Sequence, residues 1–290
     1  MPQSLQQYFK KETGFRIGPA GPLLFTGMAI ATWMLIVLAG ILFPSDNGFP
    51  LLVRLLVAML AVPVLAAGTA RLLKKAGIPG HALGLDLSVK SMLNSILGAL
   101  LAILVILLIG IFLYFFVPFR FVKGNLAGTD ALLRSLLFFA GNFAEELIFR
   151  GYPLIILSRL IGWQKAVWIL AIPFGLFHLQ GLGFTVRALS LFITTASYSL
   201  VFCFSFILTG SLWTSIAIHT VSNILLHLVF GLDGAHNAIL EPVFQKAWPK
   251  TYDPGFLALE LSIAIMATVL YIAIPRPYRR SAPVPVPNKS

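Results

Sequence analysis

The chain is 290 residues long, 58% hydrophobic and only 11% charged, with a mean hydropathy of +0.92. A single core of that size could not hide so much apolar surface from water, which excludes an ordinary soluble domain and points to an all-α polytopic integral membrane protein. The formal net charge of +11 is dispersed, with most basic residues at the ends of apolar stretches, so it reads as topology and contact with anionic lipid rather than nucleic-acid binding.

In chain order, residues 1–21 form a basic segment carrying Lys10, Lys11 and Arg16. Apolar stretches long enough to cross a hydrocarbon layer of about 30 Å then predict about eight spans, at roughly 22–43, 50–70, 92–117, 130–157, 163–180, 187–208, 211–230 and 255–274. The first has no small-residue cleavage site behind it and is expected to be a retained span, not a signal peptide. The fourth is long enough to tilt, and the fifth carries Pro173, a residue able to break it. The sixth and seventh are separated only by Thr209, Gly210 and Ser211. Residues 22–275 form one transmembrane domain, with neither a second domain nor an internal repeat in view. Residues 276–290 read as a basic, proline-rich, disordered cytoplasmic tail. The single cysteine, Cys203, falls mid-span and reads as a small interior residue, so a disulfide framework or cysteine metal cluster is ruled out.

Orientation follows from the Lys/Arg bias. With the N-terminus cytoplasmic, thirteen basic residues fall inside (Lys10, Lys11, Arg16, Arg71, Lys74, Lys75, Lys90, Arg159, Lys165, Arg276, Arg279, Arg280, Lys289) and five outside (Arg120, Lys123, Arg187, Lys246, Lys250). Both termini are therefore expected in the cytoplasm, with the cell membrane as the location if the host is a prokaryote.

Arg54, Arg134 and Glu260 lie near span ends, where long side chains reach the headgroups. Glu145, Glu146 and Arg150 lie far deeper. Glu146 and Arg150 are four apart with the glutamate first, the favourable order for an ion pair on one helix face. Glu145 is turned about 100° from Glu146, toward the face that carries Asn142 and Phe149. A lone carboxylate in hydrocarbon takes up a proton or finds a partner. His178, with Phe174 four residues before it, and His219, with Asn223 four residues after it, are the candidates. His227 is turned partly off that last face, and His81 and His236 read as solvent-exposed loop residues.

These residues resemble the CAAX-protease and bacteriocin-processing intramembrane peptidases, which include the type II CAAX prenyl endopeptidase and bacterial proteins often labelled Abi. The family's Glu-Glu-x-x-x-Arg, Phe-x-x-x-His and His-x-x-x-Asn motifs stand here, in order, as Glu145-Glu146 to Arg150, Phe174 to His178, and His219 to Asn223. The resemblance covers about 145–223, within an expected peptidase core of about 130–230. It implies hydrolysis of a peptide bond in a membrane-associated protein or peptide, in a polar cavity between helices that opens to the cytoplasmic side.

The chemistry suits the residues. Glu145 assisted by His178 would activate water, His219 and Asn223 would bind the oxyanion, and Glu146, Arg150 and Phe174 would support them. Glu145, His178 and His219 also match the ligand types of a catalytic zinc, although no His-Glu-x-x-His spacing is present. Metal-dependent and glutamate-type chemistry both stay open. Counted from their cytoplasmic ends, Glu145, His178 and His219 lie roughly 18, 22 and 12 Å deep, unequal for one site. The alternatives are a transporter, using the buried ions as a relay, and a catalytically silent scaffold such as an immunity protein.

Overall fold

The computed structural model describes residues 6–44, 48–116, 119–126, 128–179, 183, 185–231, 238–244 and 254–275. His236 and the tail expected beyond residue 276 lie outside these residues. After a 3₁₀ turn at Gln6–Phe9 come α1 (Ala20–Leu42), α2 (Gly48–Lys75), α3 (Val89–Phe116), α4 (Gly128–Glu146), α5 (Tyr152–Ile161), α6 (Trp163–Phe177), α7 (Val186–Thr209), α8 (Leu212–Asn223) and α9 (Pro254–Ala273). A π-helical segment at Leu147–Gly151 joins α4 to α5, and a second, Ile224–Val229, continues α8.

Among the described residues, six helical stretches are long and apolar enough to cross a membrane: Ala20–Leu42, Gly48–Lys75, Val89–Phe115, Val186–Thr209, Leu212–Val229 and Phe256–Ala273. The other two expected spans exist as helix but differ in kind. The fourth is divided by its π segment and holds the buried ions, and α6 has only 15 residues, about 22 Å of helix. Pro173 does not break α6, which runs through it to Phe177.

Helix starts follow local chemistry. The Ser88 hydroxyl accepts from the Ser91 N–H at 3.3 Å ahead of α3, and Asp86 accepts from the Ser88 N–H at 3.1 Å and the Ser91 hydroxyl at 2.9 Å. Hydrogen bonding from the Ser88 side chain, then from that of Ser91, holds the Asp86 carboxyl below the usual carboxylate range. The Thr185 hydroxyl accepts from the Ala188 N–H at 3.1 Å to start α7. Gly210, at φ 67°, closes α7 in the left-handed conformation that favours glycine.

Successive passes reverse direction, so the connections collect at two ends. One end holds the N-terminal segment and the α2–α3, α5–α6 and α7–α8 turns. The other holds the α1–α2, α3–α4, α6–α7 and α8–α9 connections. At the first end the N-terminal segment is docked: Glu12 is paired with Arg159, the Phe9 ring lies edge-on to Phe206 at 5.0 Å, and Tyr8 Oη is 3.3 Å from His81 Nε2. At the second, residues Phe119–Lys123 (β1) and Leu240–Phe244 (β2) form an antiparallel ribbon with Phe121 opposite Pro242. Large apolar side chains such as Leu60 and Leu107 point outward, as lipid-facing surfaces require, while polar groups turn inward.

α3 packs along α8, and Gly98 permits the approach. A Cβ there would run into the Thr214 carbonyl and the Ala217 side chain. Gly98→Leu is expected to cost about 1–3 kcal/mol of stability by overpacking. An unchanged unfolding midpoint in detergent would contradict that contact.

Candidate active site

Glu145 and Glu146 end α4, and the π segment that follows places Arg150 beneath them. Glu146 is fully buried and holds three partners. Its Oε1 accepts from Arg150 Nη1 at 3.2 Å and from His219 Nδ1 at 2.9 Å, and its Oε2 accepts from the Ser215 hydroxyl. The pairing with Arg150 was legible from spacing, whereas the bonds to α8 were not. Arg150, also fully buried, donates from Nη2 to the Ser199 hydroxyl at 2.7 Å. Its guanidinium lies 4.1 Å from the Phe174 ring centre and 5.0 Å from that of Phe202, a cation–π enclosure that replaces water around the charge.

Phe174 serves a second purpose. Its carbonyl oxygen lies 2.8 Å from His178 Nδ1, and its ring packs 4.6 Å from the imidazole, so the four-residue spacing aims His178. His178 stands at the C-cap of α6. The His219 ring stacks on Phe202 with centroids 4.6 Å apart.

Both imidazoles thus have Nδ1 engaged and present Nε2 to one atom. His178 Nε2 is 3.6 Å and His219 Nε2 is 3.9 Å from Glu145 Oε2. That oxygen is buried and makes no hydrogen bond within the chain. The unequal depths expected from helix counting therefore meet at one point. One turn away, Asn223 Nδ2 donates to Asn142 Oδ1 at 3.1 Å, tying α8 to α4, while Asn142 Nδ2 is buried with no hydrogen-bond partner. All four residues expected to be catalytic, Glu145, His178, His219 and Asn223, are brought together, with Glu146, Arg150 and Phe174 directly behind them.

A cavity of about 370 Å³ opens beside this cluster, lined by His178, His219, Asn223, Thr194, Tyr198 and Leu226 among others. Sequence reasoning missed Ser199, Ser215 and Tyr198. Ser215 had a signal, because it lies four residues before His219 on the same face; Ser199 and Tyr198, on motif-free α7, had none. His227, expected off the face, stacks on Phe138 at 5.7 Å near the cavity's far end. Glu260 is half-buried and accepts from the Ser197 hydroxyl at 3.1 Å, so it faces α7 rather than the headgroups.

Glu145, His178 and His219 are donors of the kind a zinc ion takes, and their outer-shell partners, a carbonyl and a carboxylate, are those expected of metal-binding histidines. Among the described residues, however, no three His, Cys, Asp or Glu side chains form a group arranged to hold a metal ion as they stand.

Residues 127–225 match the protein-family model described as "Type II CAAX prenyl endopeptidase Rce1-like". No curated protein and no solved structure gives a significant match. All three motifs fall inside the matched residues and meet beside one cavity, so the similarity of this region to the type II CAAX prenyl endopeptidase family rests on the same residues that form the site.

Proposed function

We propose that the protein is an intramembrane endopeptidase that hydrolyses a peptide bond of a membrane-associated protein or peptide. The observation that carries this reading is the convergence of two imidazole Nε2 atoms on the unpartnered Oε2 of Glu145.

The protonation states follow from the partners. A carbonyl only accepts, so His178 Nδ1 bears the proton and neutral His178 presents a lone pair at Nε2. Two acceptors 3.6 Å apart cannot bond each other, and a water donating one hydrogen to each binds between them once the gap opens to about 4.5 Å. That water attacks the amide carbonyl as Glu145 takes its proton. Glu146, ionised beside Arg150, likewise accepts from His219 Nδ1, so His219 donates from Nε2 only as the imidazolium; Glu146 offsets Arg150, and the Glu145 carboxylate 3.9 Å away offsets the imidazolium. The imidazolium and the second N–H of Asn223 Nδ2 then stabilise the oxyanion, and Glu145 returns its proton to the leaving nitrogen. One water is consumed and one carboxyl and one amine are released. A bound zinc, held by Glu145, His178 and His219, would supply Lewis acidity toward the same water.

The test compares the N- and C-terminal peptides of membrane proteins, by mass spectrometry, in cells making wild-type protein or Glu145→Gln at equal expression. New termini present only with wild type are expected. Identical termini in both, together with an altered ion or solute gradient, would sink the peptidase reading in favour of transport.

A further inference from the structure

The closed and open sides of the site face opposite ends of the bundle. Toward the end that holds the α2–α3, α5–α6 and α7–α8 turns, the reactive groups are backed by Glu146, Arg150, Ser199, Cys203, Phe206 and Ser215, none of which has any exposure. Beyond them Phe9 of the docked N-terminal segment closes on Phe206.

The cavity runs the other way. Its lining includes Leu191 and Thr195 in the first half of α7, Leu226 and His227 in the π segment after Asn223, and Leu259 near the start of α9. His178, which caps α6, is about a quarter exposed at 24%, against 6% for the His219 side chain deeper in. Each of these stretches lies at the end that carries the β1–β2 ribbon.

Charge distinguishes the two ends. Among the described residues, the closed end holds Lys10, Lys11, Arg16, Arg71, Lys74, Lys75, Lys90, Arg159 and Lys165. The open end holds Arg120, Lys123 and Arg187, with Arg54 and Arg134 within the first two turns of α2 and α4. An excess of Lys and Arg in short connections marks the cytoplasmic side.

We infer that the scissile bond reaches Glu145 from the extracytoplasmic half of the bilayer, the reverse of the cytoplasmic opening that the family resemblance implies. The inference rests on the peptidase reading above and names its substrate class: a membrane-borne peptide segment cut within or just above the outer leaflet, not a cytoplasmic chain terminus. The walls define the flanking residues. Leu191, Leu226 and Leu259 are apolar, Thr194, Thr195 and Tyr198 are neutral hydroxyls, and no Lys, Arg, Asp or Glu is among the described lining residues. Uncharged side chains on either side of the cut therefore fit. The volume of about 370 Å³ suits a short extended stretch and not a folded domain.

Sidedness can be read without turnover. Cys203, the one cysteine, is replaced by Ala, and single cysteines are placed at the cavity (Thr195→Cys, Leu226→Cys) and at the two ends (Arg187→Cys, Lys165→Cys) in the full-length protein. A small, membrane-impermeant methanethiosulfonate cation is then added to intact cells or to inside-out vesicles, and Leu191→Cys replaces either cavity variant that fails to accumulate. The cavity cysteines should label in intact cells together with Arg187→Cys, and Lys165→Cys only in inside-out vesicles. Cavity labelling that follows Lys165→Cys, absence of cavity labelling from both sides, or Arg187→Cys and Lys165→Cys in exchanged positions would each overturn the inference. A missing peptidase activity would instead show as unchanged termini in the earlier comparison and would leave the labelling pattern as it is.

Discussion

Glu146→Ala should leave little folded protein. The wild-type carboxylate accepts from Arg150, His219 and Ser215 in a region with essentially no solvent access, so its loss strands a buried guanidinium and an imidazole N–H at once. Removing one partner of a buried ion pair costs about 3–5 kcal/mol, because the remaining charge keeps its desolvation penalty without compensation. Enclosure of Arg150 by Phe174 and Phe202 softens that cost without replacing the lost acceptor. The measurement is the unfolding midpoint in detergent, with Glu146→Gln as the companion variant that keeps the shape and one acceptor oxygen. Glu146→Gln should fall between wild type and Glu146→Ala. A wild-type midpoint for Glu146→Ala would remove the supporting role assigned here.

The neighbouring carboxylate should behave in the opposite way. Glu145 Oε2 makes no hydrogen bond within the chain, so Glu145→Gln takes nothing away from the fold and the midpoint should hold. Turnover should instead drop by about 10²–10⁴, the usual contribution of a positioned general base. The loss should fall on kcat with KM little changed, since the carboxylate acts on the water and not on the peptide. A stable Glu145→Gln that cuts at the wild-type rate would transfer the base role to His178. Two adjacent glutamates with reciprocal phenotypes, one in stability and one in rate, would separate support from chemistry more cleanly than either variant alone.

The motifs were legible in the sequence because they are local. Glu146 and Arg150, Phe174 and His178, and His219 and Asn223 are each four residues apart, and helical geometry places such pairs on one face. The spans were legible for a similar reason, since hydropathy is a local sum. What escaped depends on partners distant in the chain. The Glu146 to His219 bond joins residues 73 positions apart, and Arg150 to Ser199 joins residues 49 apart. β1 lies between two predicted spans and went unread as a strand, because the strand that satisfies its backbone lies beyond α8, in a segment with no alternating pattern of its own. Pro173 does not interrupt α6, because the loss of one hydrogen bond and a local adjustment is tolerated in a helix packed against neighbours.

The two π segments make chain length part of the site. Each begins at the residue after a motif side chain, Leu147 after Glu146 and Ile224 after Asn223, and each spreads a helical turn over more residues than an α-helix uses. Losing one position from 147–149 would shrink that wide turn to an ordinary α-helical one, so Arg150 would follow Glu146 by three residues in place of four. α5 could stay in place with Arg159 on Glu12, while the Glu146–Arg150 pair, built on the wide turn, would lose its geometry. In this stretch the count of residues aims the reactive groups, and a single-codon deletion there would do damage that no conservative replacement at the same positions could match.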